Sequence, residues 1–347
     1  MHLNKLVYFL TFTIICFWPC YEVNCQTRGD IRVMFYNTEN FFDTKKDTIN
    51  NDGDYTPEGK YHWTNEKYKH KLANTFKVIA GIGEWQPPEI IGLSEVENRQ
   101  VLEDLLHDTP LSKYSYNIVH FDSPDPRGID VALLYRSDEA RVLAKEPIYI
   151  RFPEEPQRKT RNILFTQLLT NGDTLNIFVN HWPSRRGGEL ESEKYRICVA
   201  SILQNKVDSL LINQPRAKII IMGDFNDDPD NSSVAETLRA QVPFHRQIVN
   251  DHLYNLTETP SGLKKGTYCY KGQWQTFDQM IVSGNLLNSK HGLFTKYAGF
   301  HVYNAEFLLQ ADEKYAGMKP LPTYAGLKYM GGFSDHLPVY LDLFFKN

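Results

Sequence analysis

Short apolar runs, rich in β-branched and aromatic residues and bounded by Gly, Pro or Asn, recur along this chain from residue 31 onward. Such runs are typical of β-strands, and most of them lack a strict alternation of apolar and polar residues, which indicates sheets buried on both faces. The pattern predicts nine strands, over residues 31–36, 89–94, 116–120, 129–135, 162–169, 174–180, 217–222, 276–282 and 337–344.

Two longer segments, residues 66–83 and 189–213, have apolar residues at helical spacing beneath a charged face, and we predict that both are helices. Many strands with few helices favour an α/β fold in which two sheets pack together and the helices cover them from outside. The sequence contains no repeat and no low-complexity linker, so we expect one continuous domain over residues 26–347.

The N-terminal segment has the layout of a secretory signal, with Lys5 followed by an apolar run that ends at Trp18 and Pro19. The run is short for a transmembrane span, although a single N-terminal membrane anchor is the alternative. We predict a signal peptide over residues 1–25 and export to the periplasm, the outer surface or the medium. Cys25 is a weak match to a lipoprotein cysteine, so a lipid anchor is a second alternative.

Composition limits the class of protein. Hydrophobic residues make up 41% of the 347 residues, which is enough for a substantial core. The 38 Lys and Arg against 42 Asp and Glu give a net charge of −4, so any binding of nucleic acid would depend on a local basic groove. Only Cys198 and Cys269 lie beyond the N-terminal segment, which excludes a disulfide scaffold and a cysteine zinc site.

The strongest chemical signal is the sequence Gly-Asp-Phe-Asn at residues 223–226, directly after a predicted strand. Residues two apart on an extended segment point the same way, so Asp224 and Asn226 would present a carboxylate and a carboxamide together. Such a pair can take a proton from water and hold that water, or a phosphate oxygen, for attack. Taken alone, the same sequence is equally typical of a turn that ends a strand.

Polar groups also stand at the ends of other predicted strands. The oxygen ligands of Asn37 and Glu95 suit Mg²⁺ or Mn²⁺ rather than zinc, and a guanidinium such as that of Arg185 suits phosphate. A lone acid entering an apolar strand, such as Asp278, needs a partner, and an imidazole is a good one. The candidates in these positions are Asn37, Glu95, Arg127, Asp130, His181, Arg185, Asp278, Ser334, Asp335 and His336.

Each of these segments could be a capped turn, but seven strand ends that all present Asn, Glu, Asp, His or Arg indicate a functional site. The sequence has no GxSxG elbow, no Walker A loop, no HExxH and no dinucleotide fingerprint. Serine-nucleophile hydrolysis, P-loop chemistry, zinc proteolysis and hydride transfer therefore lose support.

The order of these groups, with GDFND at residues 223–227 and SDHLPV at residues 334–339, closely resembles the endonuclease/exonuclease/phosphatase superfamily. NTENFFD at residues 37–43 and NHWPSR at residues 180–185 look like its exported bacterial branch. The resemblance spans residue 31 to the C-terminus. It implies a four-layer α/β/β/α sandwich of two packed mixed β-sheets, similar to pancreatic-type deoxyribonuclease, with the site at the sheet edges.

The resemblance also implies a metal site and a water-activating group. Glu95 would be the principal ligand of Mg²⁺ or Mn²⁺, with Asn37 beside it and Asp335 as a further acidic contact. Asp224 would orient or deprotonate the attacking water, and Asn226 would position the phosphate. The implied chemistry is in-line displacement by water without a covalent intermediate.

Two histidines complete the implied catalytic set. His336, oriented by Asp278, would stabilise charge on the scissile phosphate, and His181 would lie across from it near a phosphate oxygen or the leaving group. The expected substrate contacts are made by Arg127, Asp130, Arg185 and Ser334.

These motifs imply phosphoester hydrolysis and leave the alcohol open. Export and the Arg185-Arg186 pair favour a secreted endonuclease or phosphodiesterase that cleaves nucleic acid. The net negative charge of the chain does not favour a polyanionic substrate. A phosphatase or phosphodiesterase of small-molecule or lipid head-group substrates is therefore the alternative. A catalytically silent binding module would lack Glu95, Asp224 or His336, and all three are present. We expect a monomer with no obligate protein partner.

Overall fold

The structure is a computed structural model that describes residues 28–47, 52–243, 247–257 and 266–346. The predicted signal peptide lies outside these residues. Among the described helices, none combines the length and the apolar character needed to cross a membrane.

Strands dominate the described residues, and four α-helices accompany them. In chain order the strands are β1 Ile31–Phe41, β2 Ile90–Val96, β3 Tyr116–His120, β4 Asp130–Arg136, β5 Ala140–Ile148, β6 Ile163–Thr170, β7 Asp173–His181, β8 Lys218–Asp224, β9 Ala240–Gln241, β10 Leu253–Asn255, β11 Tyr268–Tyr270, β12 Gln273–Gln275, β13 Asp278–Ser283, β14 Gly292–Val302, β15 Leu309–Ala311, β16 Met318–Pro320, β17 Tyr324–Ala325, β18 Lys328–Tyr329 and β19 Val339–Lys346. The helices are α1 Asn65–Gly83, α2 Arg99–His107, α3 Glu189–Asn213 and α4 Gly284–Leu287.

The long strands form two mixed sheets. The first has six strands in the order β14-β19-β1-β2-β4-β3, and the second has seven in the order β5-β6-β7-β8-β13-β10-β9. Each sheet has a parallel pair near its centre, β1 with β2 and β7 with β8, while the strands that flank these pairs run antiparallel to them. The carboxyl ends of a parallel pair meet at one edge of the sheet.

Alternate residues of the central strands face two different cores. In β1, Val33 and Phe35 pack in the cluster between the two sheets, whereas Met34 and Tyr36 pack in the cluster against α1 and α2. A third cluster packs α3 against the outer face of the second sheet. Three cores separate four layers, so the predicted α/β/β/α sandwich is confirmed, and burial on both faces explains the missing alternation.

The predicted elements correspond closely to the observed ones. All nine predicted strands form, and α3 has the predicted bounds, while α1 begins one residue earlier at Asn65. The sequence analysis missed the longer elements α2, β5 and β14, together with α4 and the short strands β9 to β12 and β15 to β18. β5 and β14 are edge strands whose residues are largely exposed or half-buried, so they lack the continuous apolar run that marks a central strand.

Arg32 of β1 and Asp342 of β19 form a buried ion pair that joins the two strands. Arg32 Nε and Nη2 donate to the two carboxylate oxygens at 2.7 and 2.9 Å, and Nη1 donates to the Ile82 carbonyl of α1 at 2.6 Å. We expect Arg32→Met to lower the free energy of unfolding by about 3–5 kcal/mol, because it leaves a buried carboxylate without its partner. Urea unfolding measures the change.

The double variant Arg32→Met/Asp342→Leu is the matched control, because it removes both charges and leaves apolar side chains in their place. It should recover most of the lost stability. If the single and double variants unfold at the same urea concentration, the loss comes from packing and the proposed charge effect is wrong.

Candidate active site

The parallel pairs bring the predicted site residues to one edge of each sheet. In the first sheet, β1 and β2 end side by side, with Asn37 paired to Ser94, and Glu95 follows directly. In the second sheet, His181 at the end of β7 pairs with Asp224 at the end of β8. Since the two sheets are stacked face to face, the two edges form opposite walls of one cavity.

Two further segments close the cavity. The antiparallel strand β13 begins with Asp278, which pairs with Asp224 of β8, and the turn before β19 carries Asp335 and His336. The cavity, called here the first cavity, has a volume of about 490 Å³. The predicted residues that line it are Asn37, Glu95, Arg127, His181, Arg185, Asp224, Asn226, Asp335 and His336.

Asp224 lies at the centre of these groups. Its Oδ2 accepts a hydrogen bond from Asn37 Nδ2 at 3.0 Å and lies 3.4 Å from His181 Nε2 and 3.8 Å from His336 Nε2. Burial raises the pKa of Asp224 to about 6, with the charge of Asp278 adding to the rise and that of His336 opposing it. A carboxylate with a pKa near neutrality is well matched to accepting a proton from water.

Gly223 is required beside this carboxylate because β7 and β8 approach closely there. A Cβ at residue 223 would lie 2.4 Å from the carbonyl oxygen of Asn180 and 2.6 Å from its Cβ. The glycine that ends the apolar run thus permits the pairing that places Asp224 opposite His181.

His336 is a buried imidazolium held by Asp278. Its Nδ1 lies 2.7 Å from Asp278 Oδ2, and Asp278 is itself fully buried. Burial lowers the pKa of His336, but the negative charges of Asp278 and Asp224 outweigh it and hold that pKa well above its usual value. The charged ring faces the first cavity, where it can donate to a phosphate oxygen and stabilise developing negative charge.

His181 is a neutral imidazole on the opposite side of Asp224. Burial, together with the charges of Arg161 and Arg127, holds its pKa well below the usual value. Its Nε2 lies 3.9 Å from Glu95 Oε1, and its Nδ1 has no hydrogen-bond partner among the described residues. Two histidines with opposite protonation states therefore flank one carboxylate, an arrangement typical of acid and base roles.

The proposed metal ligands supply hard oxygen donors on one wall of the cavity. Glu95 Oε2 accepts from the Asn40 amide at 2.9 Å, and Glu95 Oε1 accepts from Arg127 Nη2 at 3.1 Å. Burial raises the pKa of Asp335, and the charge of Glu95 adds to that rise. Two repelling carboxylates beside the carboxamide of Asn37 fit Mg²⁺ or Mn²⁺, because a divalent cation would offset their repulsion.

The backbone around these ligands is strained. Glu39, Asn40, Glu95 and Asn226 have φ angles of 52°, 55°, 60° and 51°, in the left-handed region that non-glycine residues adopt at a cost. The strain places the Asn40 amide on Glu95 and turns the Asn226 amide toward Asp224 Oδ1, at 2.9 Å. Strained non-glycine residues are concentrated at functional sites in proteins, which supports the same assignment.

Arg185 lines the first cavity, but other residues already occupy much of its guanidinium. It forms ion pairs with Glu189 at 2.9 Å and Asp227 at 3.2 Å, and its Nε donates to the Asn226 carbonyl at 2.8 Å. Arg185 therefore also supports the segment after β8, whereas the neighbouring Arg186 is exposed on the cavity lining.

Ser334 and Asp130 lie outside the cavity lining. The buried Ser334 hydroxyl donates to the Asn37 carbonyl at 2.7 Å and accepts from the His336 amide at 3.0 Å, so it joins the last turn to β1. Asp130 accepts from the Ser123 amide at 2.8 Å and lies 3.0 Å from His120 Nε2. The substrate contacts predicted for these two residues stay predictions, and both residues support the walls of the site.

A second group of ionisable residues lies beside Asp130. Ligand atoms of His120, Asp122 and Asp130 all lie within 4.8 Å of one another, close enough to hold a metal ion. None of the three lines the first cavity, and Asp122 is exposed to solvent.

Several residues of the cavity were not predicted. Aromatic side chains of the β11–β12 hairpin and the segment after it, Tyr268, Tyr270 and Phe277, form one wall. The signal for this wall is the alternation of aromatic residues on both sides of the Lys271-Gly272 turn, which is typical of a hairpin. Nothing in that alternation predicts which cavity the rings face.

Behind the cavity, the buried Lys71 of α1 donates from Nζ to Thr323 Oγ1 at 2.6 Å and to the Phe333 carbonyl at 2.7 Å. Glu39 accepts from the Thr323 amide at 2.6 Å, so the same threonine connects both charged groups. Burial lowers the pKa of Lys71 to about 8 and raises that of Glu39 to about 8. Sequence reasoning missed this pair because its partners lie on distant segments.

The sequence matches the profile of the Endonuclease/Exonuclease/phosphatase family over residues 32–344. The chain belongs to this family. The predicted membership is confirmed, and the chain is a phosphoester hydrolase as its family is. The family match includes every predicted site residue.

Solved structures agree with this fold. The chain is similar to the human Nocturnin catalytic domain with bound sulfate, with 17% identity, 91% of this chain and 94% of that chain covered, and a TM-score of 0.52. It is similar to a Bacteroides thetaiotaomicron mannosyl-6-phosphatase, with 16% identity, 91% and 100% coverage and a TM-score of 0.56. Truncated TDP2 of Caenorhabditis elegans gives 16% identity, 91% and 98% coverage and a TM-score of 0.54. No curated protein matches the sequence.

We expect His336→Ala to lower kcat by at least about 10²-fold, because it removes a charged donor from the position where negative charge develops. Asp278→Asn should also lower kcat, because His336 then loses the anion that keeps it protonated. Steady-state kinetics on a chromogenic phosphoester measures both effects. The matched control is His107→Ala, an exposed histidine at the end of α2, which should retain wild-type turnover; wild-type turnover in His336→Ala would contradict the assignment.

Proposed function

We propose that this chain is a divalent-cation-dependent phosphodiesterase that cleaves nucleic acid by direct attack of water. The observation that carries the proposal is the position of Asp224, between a neutral His181 and a charged His336, in a cavity that also presents Asn37 and Glu95. One cavity therefore contains a group that can activate water, a group that can stabilise negative charge and oxygen atoms that can bind a divalent cation.

The chain's own residues account for the proton and the charge. The oxygen of water bonds to phosphorus and the ester P–O bond breaks, while Asp224 accepts the proton that water releases. The departing alkoxide becomes an alcohol by taking a proton from solvent, to which Asp224 then returns its own. The His336 imidazolium donates to the phosphate oxygens as their charge grows. A Mg²⁺ or Mn²⁺ ion held by Asn37, Glu95 and Asp335 would supply Lewis-acid polarisation of the phosphate.

The aromatic wall supports a nucleic-acid substrate. Tyr268 stacks against Phe277 with centroids 5.3 Å apart, and the Arg185 guanidinium lies 4.7 Å from the Phe277 ring. Tyr270 is 55% exposed, so its ring is available to a ligand. Aromatic faces beside arginines bind single strands by stacking on bases and contacting phosphates, without reading sequence.

A phosphatase or phosphodiesterase of a small-molecule or lipid head-group substrate is the second candidate. The first cavity, at about 490 Å³, has the size of a small-ligand pocket. The net charge of −4 also gives the protein no long-range attraction for a polyanion.

Nicking of supercoiled plasmid with Mg²⁺ tests the proposal, run beside a small aromatic diester and with Asp224→Asn as the blank. Plasmid nicking that disappears in the variant supports the nuclease. Cleavage of the small ester alone would reject nucleic acid as substrate and favour the second candidate. Turnover of neither substrate would reject the proposed nuclease and send the search to monoesters and lipid head groups.

We also propose that the protein is exported and processed near Cys25. N-terminal sequencing of the protein recovered outside the cytoplasm tests this, and an intact Met1 there would reject cleavage. Incorporation of labelled palmitate would assign a lipid anchor instead of a free N-terminus.

A further inference from the structure

A second cavity, with a volume of about 420 Å³, adjoins the first one. The two cavities share Tyr268 and Asp335 in their linings. Asp335 is one of the proposed metal ligands, and the Tyr268 ring packs against the His336 ring in a tilted arrangement with centroids 4.9 Å apart. A residue of the proposed reacting centre therefore belongs to the walls of both cavities.

The walls of the second cavity are built by hairpins that sequence reasoning did not identify. They come from β11, from the β15–β16 hairpin and from the β17–β18 hairpin. Asp312 anchors the β15–β16 turn by accepting from the amides of Lys314 and Tyr315, at 3.1 and 3.3 Å. Gln310 Nε2 donates to the Pro320 carbonyl at 3.2 Å across the same hairpin. Hydrogen bonds thus fix the shape of this wall in the described structure.

Charged groups of both signs line the second cavity. Lys314, Lys319 and Lys328 stand there with the acids Asp312, Glu313 and Asp335. Asp312 Oδ1 is already paired with Lys319 Nζ at 3.3 Å. Lys328 is exposed at the cavity and forms no ion pair with the described residues, so its ammonium group is available to an anion.

A phosphomonoester carries one organic group on its phosphate, called here an arm, and that arm would fill one of the two cavities. A phosphodiester carries two such arms, and in a nucleic-acid strand each arm leads to another phosphate. Two adjoining cavities that share Asp335 match the second kind of substrate, with Arg186 exposed in one lining and Lys328 exposed in the other.

We propose that the second cavity is the subsite for the second arm of a phosphodiester, with Lys328 contacting the next phosphate of the strand. This inference rests on the proposed function and makes it narrower: the enzyme prefers diesters to monoesters and cleaves bonds inside a strand. Water adds to phosphorus, the P–O bond to one arm breaks, and that arm leaves as an alcohol, gaining through solvent the proton that Asp224 took from the water.

Two variants of the full chain test the subsite. Lys328→Glu reverses the charge, and Ala325→Trp fills the cavity from β17. The readout is kcat/KM for a single-stranded oligonucleotide and for p-nitrophenyl phosphate. We expect each variant to lower the ratio of the oligonucleotide kcat/KM to the p-nitrophenyl phosphate kcat/KM by about tenfold. Lys328→Glu removes a charged contact to phosphate, and Ala325→Trp takes the space of the second arm. For Lys328→Glu, the slope of log KM for the oligonucleotide against log salt should fall by about 1.

The matched control for charge is Lys145→Glu, at an exposed position of the edge strand β5 that lines neither cavity. It should retain the wild-type ratio and the wild-type salt slope. An unchanged ratio in both test variants, with thermal melting showing that they are folded, would overturn the subsite while the hydrolase stands. The subsite would also be overturned if the wild-type protein had a higher kcat/KM for the monoester than for every diester. Turnover of no phosphoester would reject the proposed function itself.

Discussion

Asp224→Asn is expected to lower kcat by about 10³-fold, because it removes the group that accepts the proton of the attacking water. The substitution keeps the shape of the side chain and an oxygen for the Asn226 amide, which donates to Asp224 Oδ1 at 2.9 Å. KM should change little, since the phosphate is held by other groups. Single-turnover kinetics with saturating enzyme measures the chemical step directly.

The same variant should melt at or above the wild-type temperature. Burial raises the pKa of Asp224 to about 6, which means that the folded protein holds this carboxylate charge at a cost. Removing the charge removes that cost, which should outweigh the loss of the hydrogen bond from Asn37 Nδ2 to Asp224 Oδ2, so activity and stability should change in opposite directions. A fall in melting temperature that parallels the loss of activity would assign Asp224 a structural role instead.

Asp251→Asn provides the matched control for this variant. Asp251 is exposed before β10 of the same sheet and lies outside both cavities. The substitution should leave kcat and melting temperature within experimental error of the wild type.

Removal of divalent cations is expected to lower turnover by at least about 10³-fold, because a cation at the phosphate is worth several kcal/mol of transition-state stabilisation. Added Mg²⁺ or Mn²⁺ should restore activity. Titration calorimetry with Mn²⁺ provides a readout independent of turnover. Full activity in the presence of excess chelator would contradict a metal-dependent mechanism.

Glu95→Gln distinguishes the proposed metal site from the His120, Asp122 and Asp130 group. We expect Glu95→Gln to weaken Mn²⁺ binding by about 10-fold or more, because it removes a charged ligand. Asp122→Asn, in the other group, should leave both activity and this binding constant unchanged. If Asp122→Asn weakened Mn²⁺ binding and Glu95→Gln did not, the functional cation would be assigned to the His120, Asp122 and Asp130 group.

The sequence indicated the groups that line the first cavity better than it indicated the groups that support its walls. Asp224 and His336 could be predicted because each follows or precedes an apolar strand, and strand ends in a sandwich are exposed to a shared edge. Ser334 resembled a substrate contact for the same reason. Its hydroxyl nevertheless joins the last turn to β1, a partner 297 residues away that no local pattern indicates.

The walls of the two cavities depend on contacts that the sequence does not encode locally. Lys328 belongs to a hairpin whose two-residue strands offer too few positions for a periodic signal. The aromatic alternation around Tyr268 is typical of a hairpin, but it does not indicate which cavity the ring faces. Edge strands such as β5 were missed because half of their surroundings is solvent. These elements carry the proposed selectivity for diesters.

By itself, the sequence determined the two packed sheets, the ends of the central strands and the chemical character of the groups placed there. Those properties follow from which residues are buried and from the alternation of side chains along a strand. The tertiary structure alone decided that His181 is neutral and His336 charged, since each state depends on burial and on acids and arginines from distant segments. It also decided that Asp335 stands between two cavities, because that position arises only when the hairpins pack against the sandwich.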